Sequence, residues 1–174
     1  MKLTRAQMAL PPAQRIALVA LLAVTRPKEW PGFPRDSFYC LKFARMSYEI
    51  ALGLRDRAFY DLVLGEDGNP TAHQLEGLLR RQRPAWVVAD GQPIRPGDFL
   101  FWPYSEKKPN GTVVQWGHVG VAIEYTGQGN KQGKTIWVAQ NTMMKKGRSF
   151  GVEALRLIPL ADMGPPRTVI RPFR

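Results

Sequence analysis

The feature that most constrains the fold is a change of sequence pattern near Arg95, about halfway along the 174 residues. Before it, apolar residues recur at three- and four-residue intervals, the spacing of helices with one buried face. After it, short apolar or alternating segments are separated by Gly, Pro and Asn, which is typical of strands and turns. This order predicts an α+β fold in which N-terminal helices pack on a C-terminal antiparallel β-sheet.

Two helices are predicted in the first part of the chain. The first spans Pro11 to Thr25: prolines mark its start, and its apolar residues lie on most sides, so it should be buried in the core. The second begins at Asp36 or Ser37, both good N-cap residues, and runs to about Leu54. Its predicted buried stripe consists of Leu41, Ala44, Tyr48, Ala51 and Leu52.

A third helix and several strands follow. Thr71-Ala-His-Gln74 fits a capping box, and the helix after it should end before Pro84, which cannot continue it. The segments 103–111 and 127–133 are predicted loops, because they are rich in Gly, Pro and Asn. The predicted strands are Asp98–Trp102, Gly117–Tyr125, Thr135–Asn141 and Thr168–Arg171.

The length and composition indicate one globular domain. A chain of 174 residues is long enough for one well-buried core, and its 44% apolar and 22% charged residues are ordinary for a folded protein. We divide this single domain, 1–174, into an N-terminal helix with an irregular approach (1–35), a helical part (36–94) and a sheet (95–174).

Cys40 is the only cysteine, so it cannot form a disulfide within the chain. One cysteine and two histidines supply at most three soft ligands, which excludes a cysteine-rich zinc cage, and we predict no metal and no cofactor. Cys40 should lie in the first turn of the second helix, where unpaired N–H groups and the helix dipole stabilise a thiolate. The alternative is a small buried apolar residue, since free cysteines are often buried.

His118 is the candidate base for such a thiol. It begins a predicted strand and shares one face with Gly120 and Ala122, whose small size leaves space for a helix to bring a thiol within hydrogen-bond reach. The alternative is a strand histidine that bonds to the backbone. On the next strand, only one of Gln140 and Asn141 can point at the imidazole, and we favour Asn141.

Other polar and aromatic residues are less strongly indicated as parts of a functional site. His73, in the first turn of a predicted surface helix, is expected to be structural, and Asp98 is expected to form a turn. The aromatic residues near the predicted site could line a substrate groove or belong to the core: Trp30, Trp102, Tyr104 and Trp116.

The charge of the chain is unusual, at +11 with a pI near 10.2. Such a field attracts polyanions, although it can also serve solubility alone. Basic residues are scattered, and no zinc-finger spacing, RNA-recognition signature or long basic run indicates specific nucleic-acid binding. The apolar run Ile16–Val24 is too short to span a bilayer, and the residues after it do not resemble a signal-peptide cleavage site. We therefore predict neither a transmembrane segment nor a signal peptide.

Four motifs in order resemble the CHAP and NlpC/P60 cysteine peptidases, over about Ser37 to Pro172. The most specific is Pro-Gly-Asp-Phe-Leu-Phe-Trp, residues 96–102, which precedes Gly-His-Val-Gly-Val-Ala-Ile, residues 117–123. The others are Phe-Tyr-Cys-Leu-Lys-Phe-Ala, residues 38–44, and Val-Ala-Gln-Asn, residues 138–141. Ile170-Arg171-Pro172 is also similar to the closing strand of phage CHAP endolysins.

The resemblance implies a papain-like fold and cleavage of an amide bond in peptidoglycan. Cys40 would be the nucleophile, His118 the base, and Asn141 matches the asparagine of the "E-Q-N" end found in many CHAP domains. The chain departs from the family pattern at Tyr39, where CHAP members carry an oxyanion-binding Gln, and at Ala139, where they carry Glu. The residues expected to bind the oxyanion or substrate are Tyr39, Trp102, Trp116 and Gln140.

These observations lead to the expectation of a monomeric peptidoglycan amidase or endopeptidase. The absence of a predicted signal segment favours a phage endolysin that accumulates in the host cytoplasm before it reaches the cell wall. A virion-associated lysin or an antibacterial effector is the alternative among enzymes. A catalytically silent wall-binding or phage structural module, and a nucleic-acid-binding protein, are the alternatives of other classes.

Overall fold

The computed structural model describes residues 2–33, 40–61, 70–125, 135–141 and 155–173. A single 3-10 turn at Pro84–Trp86 accompanies the helices and strands of these residues. The helices are α1 (Arg5–Met8), α2 (Pro12–Thr25), α3 (Cys40–Leu52), α4 (Ala58–Asp61), α5 (Ala72–Gln82) and α6 (Leu160–Met163). The strands are β1 (Phe99–Trp102), β2 (Ser105–Lys107), β3 (Val113–Gln115), β4 (His118–Tyr125), β5 (Thr135–Asn141), β6 (Leu155–Pro159) and β7 (Thr168–Ile170).

Five strands form the main sheet in the order β6-β5-β4-β1-β7, and every neighbouring pair is antiparallel. Strands β2 and β3 form a separate hairpin between β1 and β4. The described part of the chain is therefore α+β with an antiparallel sheet, as predicted.

Helices α2 and α3 cover one face of the main sheet. Val119, Val121 and Ile123 of β4 belong to the large core that α2 and α3 complete, and α2 is buried along most of its length. The opposite face carries a smaller cluster that includes Ala122 and Val138. Each fully buried aliphatic or aromatic side chain contributes about 1.5–3 kcal/mol, so the helix-covered face holds most of the stabilising burial.

Most predicted elements are present with shifted ends. Helix α3 ends at Leu52 because Gly53 takes a φ of +66°, which stops the helix before the predicted Leu54. The capping box of α5 is formed: Thr71 Oγ1 accepts from the N–H of Gln74, and Gln74 Oε1 accepts from the N–H of Thr71. Residues 103–111, predicted as a loop, contain β2, and β6 was not predicted.

A turn at the start of β1 fixes the edge of the sheet. Asp98 Oδ2 accepts from the N–H of Arg95 at 2.8 Å, which is the predicted turn role. The same carboxylate also receives two bonds from the buried Arg171, which follows β7. Gly97 has a φ of +91°, and a Cβ there would lie 2.3 Å from the carbonyl oxygen of Ala13, so only glycine fits.

Three sequence predictions fall outside the described residues: the N-cap at Asp36 or Ser37, the loop at 127–133 and the role of Tyr39. Among the described residues, none of the helices combines the length and the apolar character required to cross a bilayer.

Candidate active site

Cys40 lies at the start of α3, where it is half-buried. Its sulfur interacts with the backbone N–H groups of Leu41 and Val119, which places the first turn of α3 beside the first residues of β4. A sulfur that receives N–H donors at a helix start is in the environment that favours a thiolate.

His118, the first residue of β4, is hydrogen-bonded to the Cys40 thiol. The two side chains meet at the ends of their elements, because α3 packs on the Val119 face of the sheet. The predicted reason for their contact was wrong: the helix that carries the thiol, α3, packs on the Val119 face and not beside Gly120. A Cβ on Gly120 would lie 2.3 Å from Val138 Cγ1 and 3.4 Å from Gln140 Cβ, so side chains of β5 already occupy that space.

Gln140 is the residue that holds the imidazole. Its Oε1 is hydrogen-bonded to Nε2 of His118, and its amide nitrogen lies 3.4 Å from the sulfur of Met163. The prediction that Asn141 has this role was wrong. Val121 pairs with Ala139, so Gly120 is opposite Gln140, and Gln140 therefore shares the face of His118. Asn141 points to the other face and lines the cleft.

Trp102 shields the hydrogen bond between His118 and Gln140 from water. It pairs with His118 across β1 and β4, and the centroids of the two rings are 6.0 Å apart. The indole N–H donates to the carbonyl oxygen of Gly164 at 3.1 Å, which fixes the ring, and only 8% of the residue is exposed. A shielded hydrogen bond to a charged imidazole is stronger than the same bond in water.

The thiol and the imidazole shift each other's pKa. Burial raises the pKa of Cys40, but the hydrogen bond and charge of His118, with the two backbone N–H groups, outweigh it and leave the pKa below its ordinary value. Burial lowers the pKa of His118, but the hydrogen bond and charge of Cys40 and the bond to Gln140 raise it above its ordinary value. Both shifts favour a thiolate–imidazolium pair near neutral pH.

The pair opens into a cleft of about 1220 Å³, large enough for a peptide segment. Its walls include the predicted Trp102, Trp116 and Asn141, and also the exposed Tyr104. Trp30, by contrast, is buried in the core, where it contacts Phe33. Of the aromatic residues considered from the sequence, three therefore line the cleft.

The start of α5 fixes the position of His118. The N–H of His73 donates to the carbonyl oxygen of Trp116, and Gly117 approaches so closely that a Cβ there would lie 2.6 Å from the nitrogen of His73. The His73 ring contacts Arg167, which is paired with the buried Glu76. His73 does not line the cleft, in agreement with the structural role predicted for it.

Sequence reasoning missed a second group of cleft residues: Arg45, Asp56, Arg57 and Tyr60. Arg45 is on α3 and only 6% exposed. The available signal was an arginine within the buried stripe of an amphipathic helix, because arginine is rarely buried unless it is paired.

No metal site is indicated in the part of the chain that the structure describes, where no three His, Cys, Asp or Glu side chains cluster. Comparison with known proteins adds no relative: no protein-family model, curated protein or solved structure matches this chain. The chemistry of the cleft is therefore argued from its own residues.

Proposed function

We propose that the protein is a cysteine hydrolase that cleaves an amide bond in the peptide part of bacterial peptidoglycan. The observation that carries the proposal is the contact of the Cys40 thiol with His118, whose ring is held by the buried Gln140. A nucleophile, its base and a residue that orients the base are the three parts that acyl transfer by a thiolate requires. The partly exposed position of Cys40 in an open cleft leaves it accessible to a substrate.

In the proposed mechanism, the thiolate of Cys40 attacks the carbonyl carbon of the substrate amide and a tetrahedral oxyanion forms. The backbone N–H of Cys40, in the first turn of α3, is the proposed donor to that oxyanion. The imidazolium of His118 then gives its proton to the leaving amine, and the C–N bond breaks to leave a thioester. His118 next removes a proton from water, which attacks the thioester and releases the acid and Cys40.

Peptidoglycan is the proposed substrate for two reasons. The ordered motifs resemble CHAP and NlpC/P60 peptidases, and the helix-start cysteine beside a strand-start histidine is the arrangement expected of their papain-like fold. The net charge of +11 would also concentrate the protein on an anionic wall. Activity should therefore fall as ionic strength rises, because salt screens that attraction over about 8–10 Å at physiological concentrations.

The proposal extends to a monomeric phage endolysin, with a virion-associated lysin or an antibacterial effector as the alternative. Mass spectrometry of the fragments released from peptidoglycan separates an amidase from an endopeptidase. New ends at lactyl groups indicate an amidase, and new ends between amino acids indicate an endopeptidase.

Turbidity loss of purified peptidoglycan sacculi tests the proposal. Wild-type protein should clear the suspension, and Cys40→Ala and His118→Ala should abolish clearing while they keep the far-UV circular dichroism of the wild type. The chain has two histidines, so His73→Ala is the matched control and should keep activity. Equal clearing by wild type and Cys40→Ala would refute the mechanism. Sacculus binding without clearing would favour a silent wall-binding module, and tight, salt-sensitive retention on DNA without clearing would favour nucleic-acid binding.

A further inference from the structure

Arg45 is a buried cation in the wall of the cleft. Its Nη1 donates to Glu49 at 3.0 Å and to Asp56 at 2.6 Å. The Asp56 side chain is 78% exposed, whereas that of Glu49 is 4% exposed. Within the described residues, one nitrogen of the guanidinium therefore makes both ion pairs of Arg45.

The other edge of the Arg45 guanidinium, formed by Nε and Nη2, makes no hydrogen bond within the described part of the chain. Nε of Arg45 is buried without a hydrogen-bond partner, and Nη2 makes no hydrogen bond to the residues that the structure describes. A buried N–H without an acceptor is costly, so such groups are rare and call for an explanation. The Nε–Nη2 edge is one of the two edges with which arginine binds a carboxylate in a bidentate manner.

A second arginine converges on the same place. The guanidinium carbons of Arg45 and Arg57 lie 5.2 and 5.7 Å from the ring centroid of Tyr60. Arg57 has a φ of +67°, a left-handed conformation that is uncommon for residues other than glycine. Strained residues of this kind cluster at binding sites, where the surrounding structure maintains them for a purpose.

We infer that Arg45 and Arg57, against the ring of Tyr60, form a subsite that binds a carboxylate of the substrate. This inference rests on the proposed function and specifies the substrate further. The carboxylate supplies the acceptor that the Nε–Nη2 edge lacks, and the ring of Tyr60 supports the two guanidinium groups. The acidic side chains already at the cluster, Glu49 and Asp56, bind Nη1 and leave the Nε–Nη2 edge without an acceptor.

The position of the subsite sets the spacing within the substrate. Arg45 follows Cys40 by five residues on α3, which is about 7.5 Å along the helix axis at 1.5 Å per residue. An extended peptide advances about 3.3–3.6 Å per residue, so we take this axial offset to correspond to about two residues between the reacting carbonyl and the bound carboxylate. The α-carboxyl of D-glutamate, which is free in some peptidoglycans and amidated in others, is such a group in the stem peptide.

Binding to the Cys40→Ala protein, measured by calorimetry, tests the subsite without hydrolysis. The probes are a muropeptide with a free α-carboxylate on D-glutamate and the same muropeptide with an α-carboxamide there. We expect the carboxylate form to bind at least about tenfold more tightly, the effect of a charge-assisted hydrogen bond. A further Arg45→Lys substitution keeps a cation beside Glu49 but removes the paired N–H donors of the guanidinium. It should reduce the preference for the carboxylate probe to roughly threefold or less.

Two further variants complete the test. Arg55→Lys is the matched control, because Arg55 is exposed, pairs with Asp61 and does not line the cleft; it should keep the preference. Arg57→Gly relieves the backbone strain and should leave the protein at least as stable while it weakens the preference, which excludes unfolding as the cause.

The results separate the subsite from the catalytic proposal. Equal binding of the two probes, no binding of either, or a preference that survives Arg45→Lys would overturn the subsite, even if the wild type clears sacculi. A preference that depends on Arg45 would support the subsite, even if the wild type fails to clear sacculi and the hydrolase proposal falls.

Discussion

Replacement of Gln140 by Met is the most informative single change at the site. Methionine has a similar volume and no acceptor for the ring N–H, so Gln140→Met removes the bond to Nε2 of His118 and leaves packing nearly unchanged. A hydrogen bond to a charged group contributes about 1.5–3 kcal/mol, and each 1.36 kcal/mol of transition-state stabilisation is tenfold in rate. We therefore expect kcat/KM to fall roughly 10- to 150-fold. Gln140→Glu, which restores an acceptor, should recover most of this loss.

The pH dependence of kcat/KM distinguishes this role from a merely structural one. The bond to Gln140 raises the pKa of His118, so its loss lowers that pKa. The alkaline limb of the profile reports loss of the imidazolium and should move to lower pH in Gln140→Met. Asn141→Ala should leave the alkaline limb in place, because Asn141 is on the other face of β5.

The assay is steady-state hydrolysis of a soluble muropeptide between pH 5 and 10, with thermal unfolding as the control for folding. An unchanged kcat/KM and an unchanged alkaline limb in Gln140→Met would refute the assignment. A shift of that limb in Asn141→Ala alone would restore the assignment made from the sequence.

Two predictions concern stability. Asp98→Ala leaves Arg171 buried without its carboxylate and should lower the free energy of unfolding by about 3–5 kcal/mol in urea titrations; a loss below about 1 kcal/mol would contradict this account of the turn. Gly97→Ala places a Cβ 2.3 Å from the carbonyl oxygen of Ala13 at a φ of +91°, and should cost about 2 kcal/mol or more, or a Tm lower by roughly 4–8 °C. An unchanged Tm would show that α2 moves away without cost.

The sequence predicted the long, strongly patterned elements well, because local signals determine them. Prolines and an apolar run specified α2, and the capping box specified the start of α5. Strand β6 was missed because Leu-Arg-Leu-Ile-Pro is short and ends in proline, and its position beside β5 is a long-range property. The β2–β3 hairpin was missed because three-residue exposed strands lack the apolar alternation that marks a strand.

The candidate site was likewise predicted only where local signals determine it. Cys40 and His118 were identified from residue type and position, and the structure brings them together. The choice between Gln140 and Asn141 depended on the register of β4 and β5, and a shift of one residue exchanges the two faces. No local pattern specifies that register, so the sequence alone favoured the wrong residue. Arg45 was missed for a related reason: its partners Glu49 and Asp56 meet it only after α3 and the following turn have folded.

The pH dependence of Cys40 alkylation tests the central claim most directly. The rate of reaction with iodoacetamide, followed by mass spectrometry of the intact protein, reports the thiolate of the only cysteine. A thiolate–imidazolium pair predicts substantial reactivity well below pH 8.5, the ordinary thiol pKa, and loss of that reactivity in His118→Ala. Alkylation that begins only above pH 8.5, with wild type and His118→Ala alike, would contradict the claim.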